Sequence, residues 1–256
     1  MPKYGMVIDL QKCVGCGACA FACKAENNTR DRGNNNSHNW ADFISKTEGV
    51  FPNTTQIVLP VLCNHCDEPA CVPKCPVVPA SIFKTPDGFV VIDHETCTGC
   101  KACQQSCPYS NETLDDRSLA GETYSVISFN NKRLPAQPRW EDKTAMIAGC
   151  TSAGEEVAKA AGAVVPAMNG YETAETQAVR ARGVVEKCTF CYHRVTHGLL
   201  PACVEVCPSK ARIFGDLKDP KSEIAQIVKK QKYFRLQEDK GTKPNVYYIN
   251  KYSARA

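Results

Sequence analysis

Residues 63–76, CNHCDEPACVPKCP, and residues 97–108, CTGCKACQQSCP, hold eight cysteines in two sets, and the last member of each, Cys75 or Cys107, precedes a proline. Three cysteines of such a set wrap a turn of chain around one iron–sulfur cube. The fourth, three or four residues on and expected to open a helix, reaches the neighbouring cube. The pattern therefore assigns Cys63, Cys66, Cys71 and Cys107 to one 4Fe-4S cluster, and Cys97, Cys100, Cys103 and Cys75 to another. The bridge between the sets ends in GFVVIDHET, a strand-like run that leads into the second of them.

The same signature recurs on either side. Upstream, Val7, Ile8, Asp9, Cys13, Gly15, Cys16, Ala18, Cys19 and Cys23 reappear 84 residues later as Val91, Ile92, Asp93, Cys97, Gly99, Cys100, Ala102, Cys103 and Cys107. Downstream, Pro69-Ala70-Cys71-Val72 and Cys75-Pro76 are echoed by Pro201-Ala202-Cys203-Val204 and Cys207-Pro208. The motif order is A-B-A-B. The second and third motifs are adjacent, so the first and fourth are expected to meet across the fold with the same crossed ligation. One cluster would take Cys13, Cys16, Cys19 and Cys207, and another Cys188, Cys191, Cys203 and Cys23, giving four clusters in all. In the first motif Lys24 stands where the others carry proline.

The expected fold class is α+β, with two bacterial-ferredoxin-like modules, each holding two 4Fe-4S clusters, related by internal duplication and interrupted by loops. Residues 57–110 form one module, and residues 1–30 plus 184–220 form the other. Residues 111–183 are an insertion that docks a partner or covers the module, with a helix in the first half of AGEEVAKAAGAVVPAMNG stopping near Gly162. Residues 221–256 supply a helix (DPKSEIAQIVKKQK) and a strand (NVYYIN) whose aromatics cover a cluster face. Residues 26–56 begin Asn-rich and read as a surface loop in which Trp40 and Phe43 pack on the module or on a partner. Cys150 has no second cysteine at ligand spacing and is expected to be a buried or incidental thiol.

Of 256 residues, 17 are cysteine, and the apolar share of 43% counts them, so the aliphatic core is thin and metal is expected to help hold the fold. The opening MPKYGMVIDLQKC carries no apolar signal core and no twin arginine, which favours ligands over disulfides, and no run reaches the ~20 apolar residues of a membrane helix. The formal charge is +4. Each oxidised cluster with four thiolates carries about −2, so four would bring the loaded chain to roughly −4. The cations Lys12, Lys24, Lys74, Lys101, Lys187, Arg194 and Lys210, beside or between the cysteines, then read as compensation. A nucleic-acid surface would need a basic stripe with aromatic partners, which the sequence lacks.

Structural zinc is the competing reading of CxxC pairs, but four ordered sets with prolines after three of the fourth cysteines are better explained by cubes. Clusters with four thiolates each have no open iron for catalysis. His38, His65, His94, His193 and His197 are scattered or lie in cluster loops, as surface residues or supports of the ligands, and no glycine-rich nucleotide loop is present. The residues thus point to electron transfer, with no catalytic residue in this chain.

The motifs CVGCGACAFAC, CNHCDEPACVPKCP, CTGCKACQQSCPY and CTFC to CVEVCP resemble those of the four-cluster electron-transfer subunits of molybdopterin oxidoreductases of the dimethyl-sulfoxide-reductase type. The resemblance covers residues 1–110 and 184–220 well and the insertion poorly. GMVIDLQKCVGCGAC, TEGVFP, EKCTFC followed by HR, and the tail GTKPNVYYI are most similar to small subunits of respiratory arsenate reductases. The tail also resembles a hydroxyarene transhydroxylase small subunit that has lost ligands here intact at Cys97, Cys100 and Cys103. The resemblance implies a molybdenum or tungsten pterin catalytic partner, in some relatives a membrane quinol-oxidising subunit or a cytochrome, and a periplasmic location reached with a twin-arginine-bearing partner, or else a cytoplasmic one. It also admits polysulfide or thiosulfate reductase as the parent enzyme.

Overall fold

The computed structural model describes residues 1–27, 29, 40–113, 123–130, 143, 145, 148–160 and 183–251. In chain order the strands are β1 (Tyr4–Asp9), β2 (Ala41–Val50), β3 (Asn53–Leu62), β4 (Ile82–Lys84), β5 (Val90–Ile92), β6 (Ser110–Thr113), β7 (Thr123–Ser125), β8 (Ile127–Asn130), β9 (Val184–Lys187), β10 (Arg212–Asp216), β11 (Tyr233–Phe234) and β12 (Val246–Ile249). The α-helices are α1 (Ala18–Asn27), α2 (Ala102–Ser106), α3 (Gly154–Ala160), α4 (Tyr192–Val195), α5 (Ala202–Glu205) and α6 (Glu223–Lys230). Helices and strands mix as expected of an α+β chain.

Two antiparallel strand pairs organise the cysteine motifs. β1 leads into the first motif and pairs with β10, which follows the fourth; β5 leads into the third motif and pairs with β4, which follows the second. The registers correspond, because Ile8 faces Arg212 in one pair and Ile92 faces Ile82 in the other. The first pair grows into a four-stranded sheet of order β10-β1-β12-β11, with β12 parallel to β1, whereas the second stays two-stranded. Met6, Val7 and Ile8 are fully buried because both faces of β1 are covered. Met6 and Ile8 enter the main core, and Val7 meets Ile224 of α6 with Tyr247 and Ile249. Alternation along a strand makes this division possible. The hydroxyl of Ser222 caps α6 by accepting from the Ala225 amide, and Lys229 and Lys230 close its last turn, where cations suit the helix dipole.

Three expectations change. Residues 41–56 of the expected loop region join residues 57–62 of the module in a long β2–β3 hairpin, paired from Ala41↔Leu62 to Val50↔Asn53. The β-branched run TTQIVLPVL finds its partner in the polar stretch before it, whose outer half is exposed and so lacked an apolar signature. Its inner end is core, with Trp40, Val58, Val61 and Leu62 buried. The insertion is not simply a cover: β7 pairs with β6, β8 pairs with β9, and Tyr124, Val126 and Ile127 lie in the main core. Its expected helix is α3, and the residues after Ala160 as far as 182, like His38, lie outside the described residues.

The third change concerns the fourth cysteine, which closes a helix instead of opening one. Cys107 is the extended C-cap of α2, and Cys75 closes the 3-10 turn Val72–Lys74 in the same conformation. The following proline explains this, since it pushes the residue before it out of the helical region. Cys23, followed by Lys24, stays inside a helix that runs on to Asn27.

Candidate metal centre

The cysteines gather in four sets. Cys13, Cys16, Cys19 and Cys207 line one cavity, Cys63, Cys66, Cys71 and Cys107 a second, and Cys75, Cys97, Cys100 and Cys103 a third. Cys23 lies among Cys188, Cys191 and Cys203, all four buried. Each set combines three cysteines of one motif with the fourth of another. Cys150, by contrast, is exposed.

Local backbone geometry turns each set inward. Gly15, Gly17 and Gly99 have φ of +68°, +74° and +69°, the left-handed region that glycine adopts without penalty. The turn at Gly15 aims its amide at the Cys13 thiol. The B motifs use aromatics at the equivalent place: His65 and Phe190 also take positive φ, and their rings stack at 3.9 Å, tying the two motifs together. His65 is fully buried, its Nδ1 accepts from the Val90 amide, and burial followed by the nearby Lys187 charge holds its pKa well below the usual value.

Burial, then the repulsion of neighbouring thiolates, raises the thiols: Cys66 and Cys103 are pushed up to about 12, and Cys23 and Cys188 well above their ordinary range. Thiols so placed ionise only in company with a cation, so metal binding would drive proton release. Two thiols run the other way. Burial pushes Cys207 and Cys75 up, but hydrogen bonds outweigh it, from Ser209, Ala211 and Arg212 on Cys207 and from Val77, Ile82 and Ser81 on Cys75. The Ala211 and Phe190 backbone amides each donate to sulfur at 3.3 Å, onto Cys207 and Cys188 respectively, and the side-chain Nδ2 of Asn27 donates to Cys23 Sγ at 3.5 Å.

The sets form a row. Cys19 of the first lies within electrostatic range of Cys203, Cys63 within range of Cys188, and Cys71 within range of Cys103. The order is therefore Cys13 set, Cys23 set, Cys63 set, Cys97 set. Cys16 and Cys100, in the two outer sets, are exposed at the surface.

Among the described residues two cations lie buried in this row. Lys187, 2% exposed, donates to the carbonyls of Val90 and Cys188 beside the Cys63 set. The sequence marked it only as one of seven nearby cations. Arg212, 4% exposed, was missed, because nothing in its place five residues beyond Cys207 at the head of a strand marks it as a neighbour of thiols. Lys101 lies over the Phe129 ring at 4.3 Å, and Arg194 pairs with Glu26 and Glu205, so these two serve packing and helix contacts instead.

This donor set fits iron–sulfur cages: four thiols around a volume, with amides turned toward sulfur. A single zinc ion needs its ligands to converge at about 2.3 Å. Among the described residues no group of three or more His, Cys, Asp or Glu side chains is close enough to hold one ion.

Comparison with known proteins agrees. The family described as 4Fe-4S dicluster domain matches residues 54–123 and 171–217, and the 4Fe-4S binding domain matches residues 4–25. The chain is 40% identical over 254 residues to the arsenate respiratory reductase iron-sulfur subunit of Shewanella sp. (strain ANA-3), covering 99% of this chain and 98% of that one. It is 34% identical to a tetrathionate reductase subunit of Salmonella typhimurium, covering 96% of this chain and 72% of the other. A selenate reductase subunit of Mesobacillus selenatarsenatis is 32% identical with the same coverage. With its cysteines grouped in fours and its near full-length likeness to these proteins, the chain belongs to the family of 4Fe-4S electron-transfer subunits of molybdopterin oxidoreductases.

Proposed function

We propose that this chain relays single electrons through four 4Fe-4S clusters between a quinol or cytochrome donor and a molybdopterin catalytic subunit that reduces an oxyanion, arsenate in the first instance. The ligands are the four sets above: Cys13, Cys16, Cys19 and Cys207 for cluster 1, Cys63, Cys66, Cys71 and Cys107 for cluster 2, Cys97, Cys100, Cys103 and Cys75 for cluster 3, and Cys188, Cys191, Cys203 and Cys23 for cluster 4. The two modules, 57–110 and 1–30 with 184–220, are duplicates. When bound, each cluster supplies a one-electron centre. The chain's own part is to hold each thiolate set, shield it from water and set its charge environment.

The observation that carries this reading is the row of four thiol sets with buried members in the middle and exposed cysteines at both ends. Such a row suits a path with one entry and one exit, running 1–4–2–3. Likeness to the arsenate respiratory reductase protein favours arsenate; the selenate and tetrathionate reductase relatives keep those oxyanions as the second reading. No helix among the described residues is long and apolar enough to cross a membrane, and we place the complex in the periplasm, carried there by a signal-bearing partner.

The test is anaerobic. The reduced chain, mixed with arsenate alone, should stay reduced; with the catalytic subunit added, its iron–sulfur absorbance should recover as arsenate is consumed. Turnover by the isolated chain, or reoxidation by selenate or tetrathionate in preference to arsenate, would reject the corresponding part of the reading.

A further inference from the structure

Arg212 occupies a position that the described residues fill differently at the two ends of the row. Its Nη2 lies 3.4 Å from Cys19 Sγ, in the first set, and its Nη1 lies 4.0 Å from Cys203 Sγ, in the Cys23 set, with Met6 Sδ at 3.7 Å from the same nitrogen. The guanidinium is almost fully buried and spans two neighbouring thiolate sets. In the other strand pair the equivalent position is Ile82, 1% exposed, which lines the cavity of the Cys97 set. The lining of that cavity contains no charged side chain among the described residues. The backbone of both positions performs the same task, a hydrogen bond to the fourth cysteine, Cys207 or Cys75. Only the side chain differs.

One electron takes a cluster with its four thiolates from about −2 to about −3, so a fixed, desolvated cation in contact with a thiolate favours the reduced form. Charge-assisted hydrogen bonds to sulfur act in the same direction. We propose that Arg212 is a tuning residue: it raises the reduction potentials of clusters 1 and 4 together, links their two thiolate shells, and makes the Cys13 end of the path electrically distinct from the Cys97 end. The inference rests on the ligand sets proposed above.

Redox titration of the full chain with its clusters, followed by electron paramagnetic resonance, tests it. Signals of clusters 1 and 4 are identified as those lost in Cys16→Ser and Cys191→Ser. In Arg212→Ile, which copies the Ile82 arrangement, the reduction equilibria of clusters 1 and 4 should each shift at least tenfold toward the oxidised form, about 59 mV for one electron. Clusters 2 and 3 should not move. Arg212→Lys, which keeps charge and loses the two-armed reach, should restore part of the shift. Unchanged potentials, an equal shift of all four, or loss of iron from both variants would overturn the proposal, the last because it would make Arg212 a structural residue only. Fewer than about sixteen irons in the unaltered chain would instead sink the cluster assignment itself.

Discussion

The half built on the first and fourth motifs and the half built on the second and third share a plan and differ in what surrounds it. Both place a strand before an A motif against a strand after a B motif, in matching register. The first half adds β12 and β11 to its sheet, carries Arg212 where the second has Ile82, and lets its helix run through Cys23 to Asn27 where the second stops at Cys107. The thiol geometry is thus set by a small common core of turns and strand ends. The electrostatics and the covering are free to diverge, which is what a path with two unlike ends requires.

The crossed grouping of cysteines is the strongest shared feature, and breaking the ligation proposed from it should have the largest effect. Cys107→Ser is expected to remove the cluster of Cys63, Cys66 and Cys71, about four irons, and to leave that of Cys97, Cys100 and Cys103 in place, as read by iron content and spectra. Loss of the Cys97-set cluster instead would show that each motif ligates its own cube. Lys24→Pro would give the first half the proline of the other three motifs. It should cut α1 at Cys23, remove the Asn27 bonds to Cys23 O and Sγ, and cost about 3 kcal/mol of stability, seen as a lower unfolding midpoint with preferential loss of cluster 4. A neutral result would mean that the longer helix is incidental.

Lys187→Met removes the second buried cation. The equilibrium of cluster 2 should move about tenfold toward oxidised, roughly 59 mV, with cluster 3 unmoved, a redox titration being the readout. The smallest effect belongs to Asp67, which binds Lys3 at 2.6 Å and Lys84 at 2.8 Å, with Asn245 at 3.1 Å, and so ties the second motif to both chain ends. Burial raises its pKa, but these partners outweigh it and bring it down to about 2. A carboxylate depressed in the folded state stabilises above its unfolded pKa of about 3.9, and that gain fades as pH falls toward 2. Asp67→Asn should therefore lower stability by about 1 kcal/mol at neutral pH, with a difference from the unaltered chain that is flat down to about pH 5 and narrows below it. A difference that already shrinks between about pH 8 and pH 6 would assign the effect to another group.

How much of this was legible depended on whether a residue's role is local. Ligand spacing is local, so the four cysteine motifs could be read from the chain alone, and the structure brings their members together in the expected fours. The β1 and β12 runs were legible because burial on both faces leaves continuous apolar stretches. The β2 strand was not: its outer residues, Lys46 to Val50, pair with β3 while facing solvent, and a polar exposed strand carries no hydrophobic period. The core role of Tyr124 and Ile127 was hidden by the polar sequence around them. Arg212 was hidden for another reason, because a cation's meaning lies in what the fold brings beside it. The stop at Cys107 could have been foreseen from Pro108, had the proline been weighed before the motif.

The central claim is that sixteen thiolates hold four cages in one electrically connected row. Iron and acid-labile sulfide analysis of the anaerobically purified full chain, joined to a stepwise reductive titration, addresses it most directly. We expect about sixteen irons, four one-electron couples, and spin coupling between neighbouring clusters as successive ones are reduced. Four or fewer irons, or tightly bound zinc in a colourless protein, would contradict it.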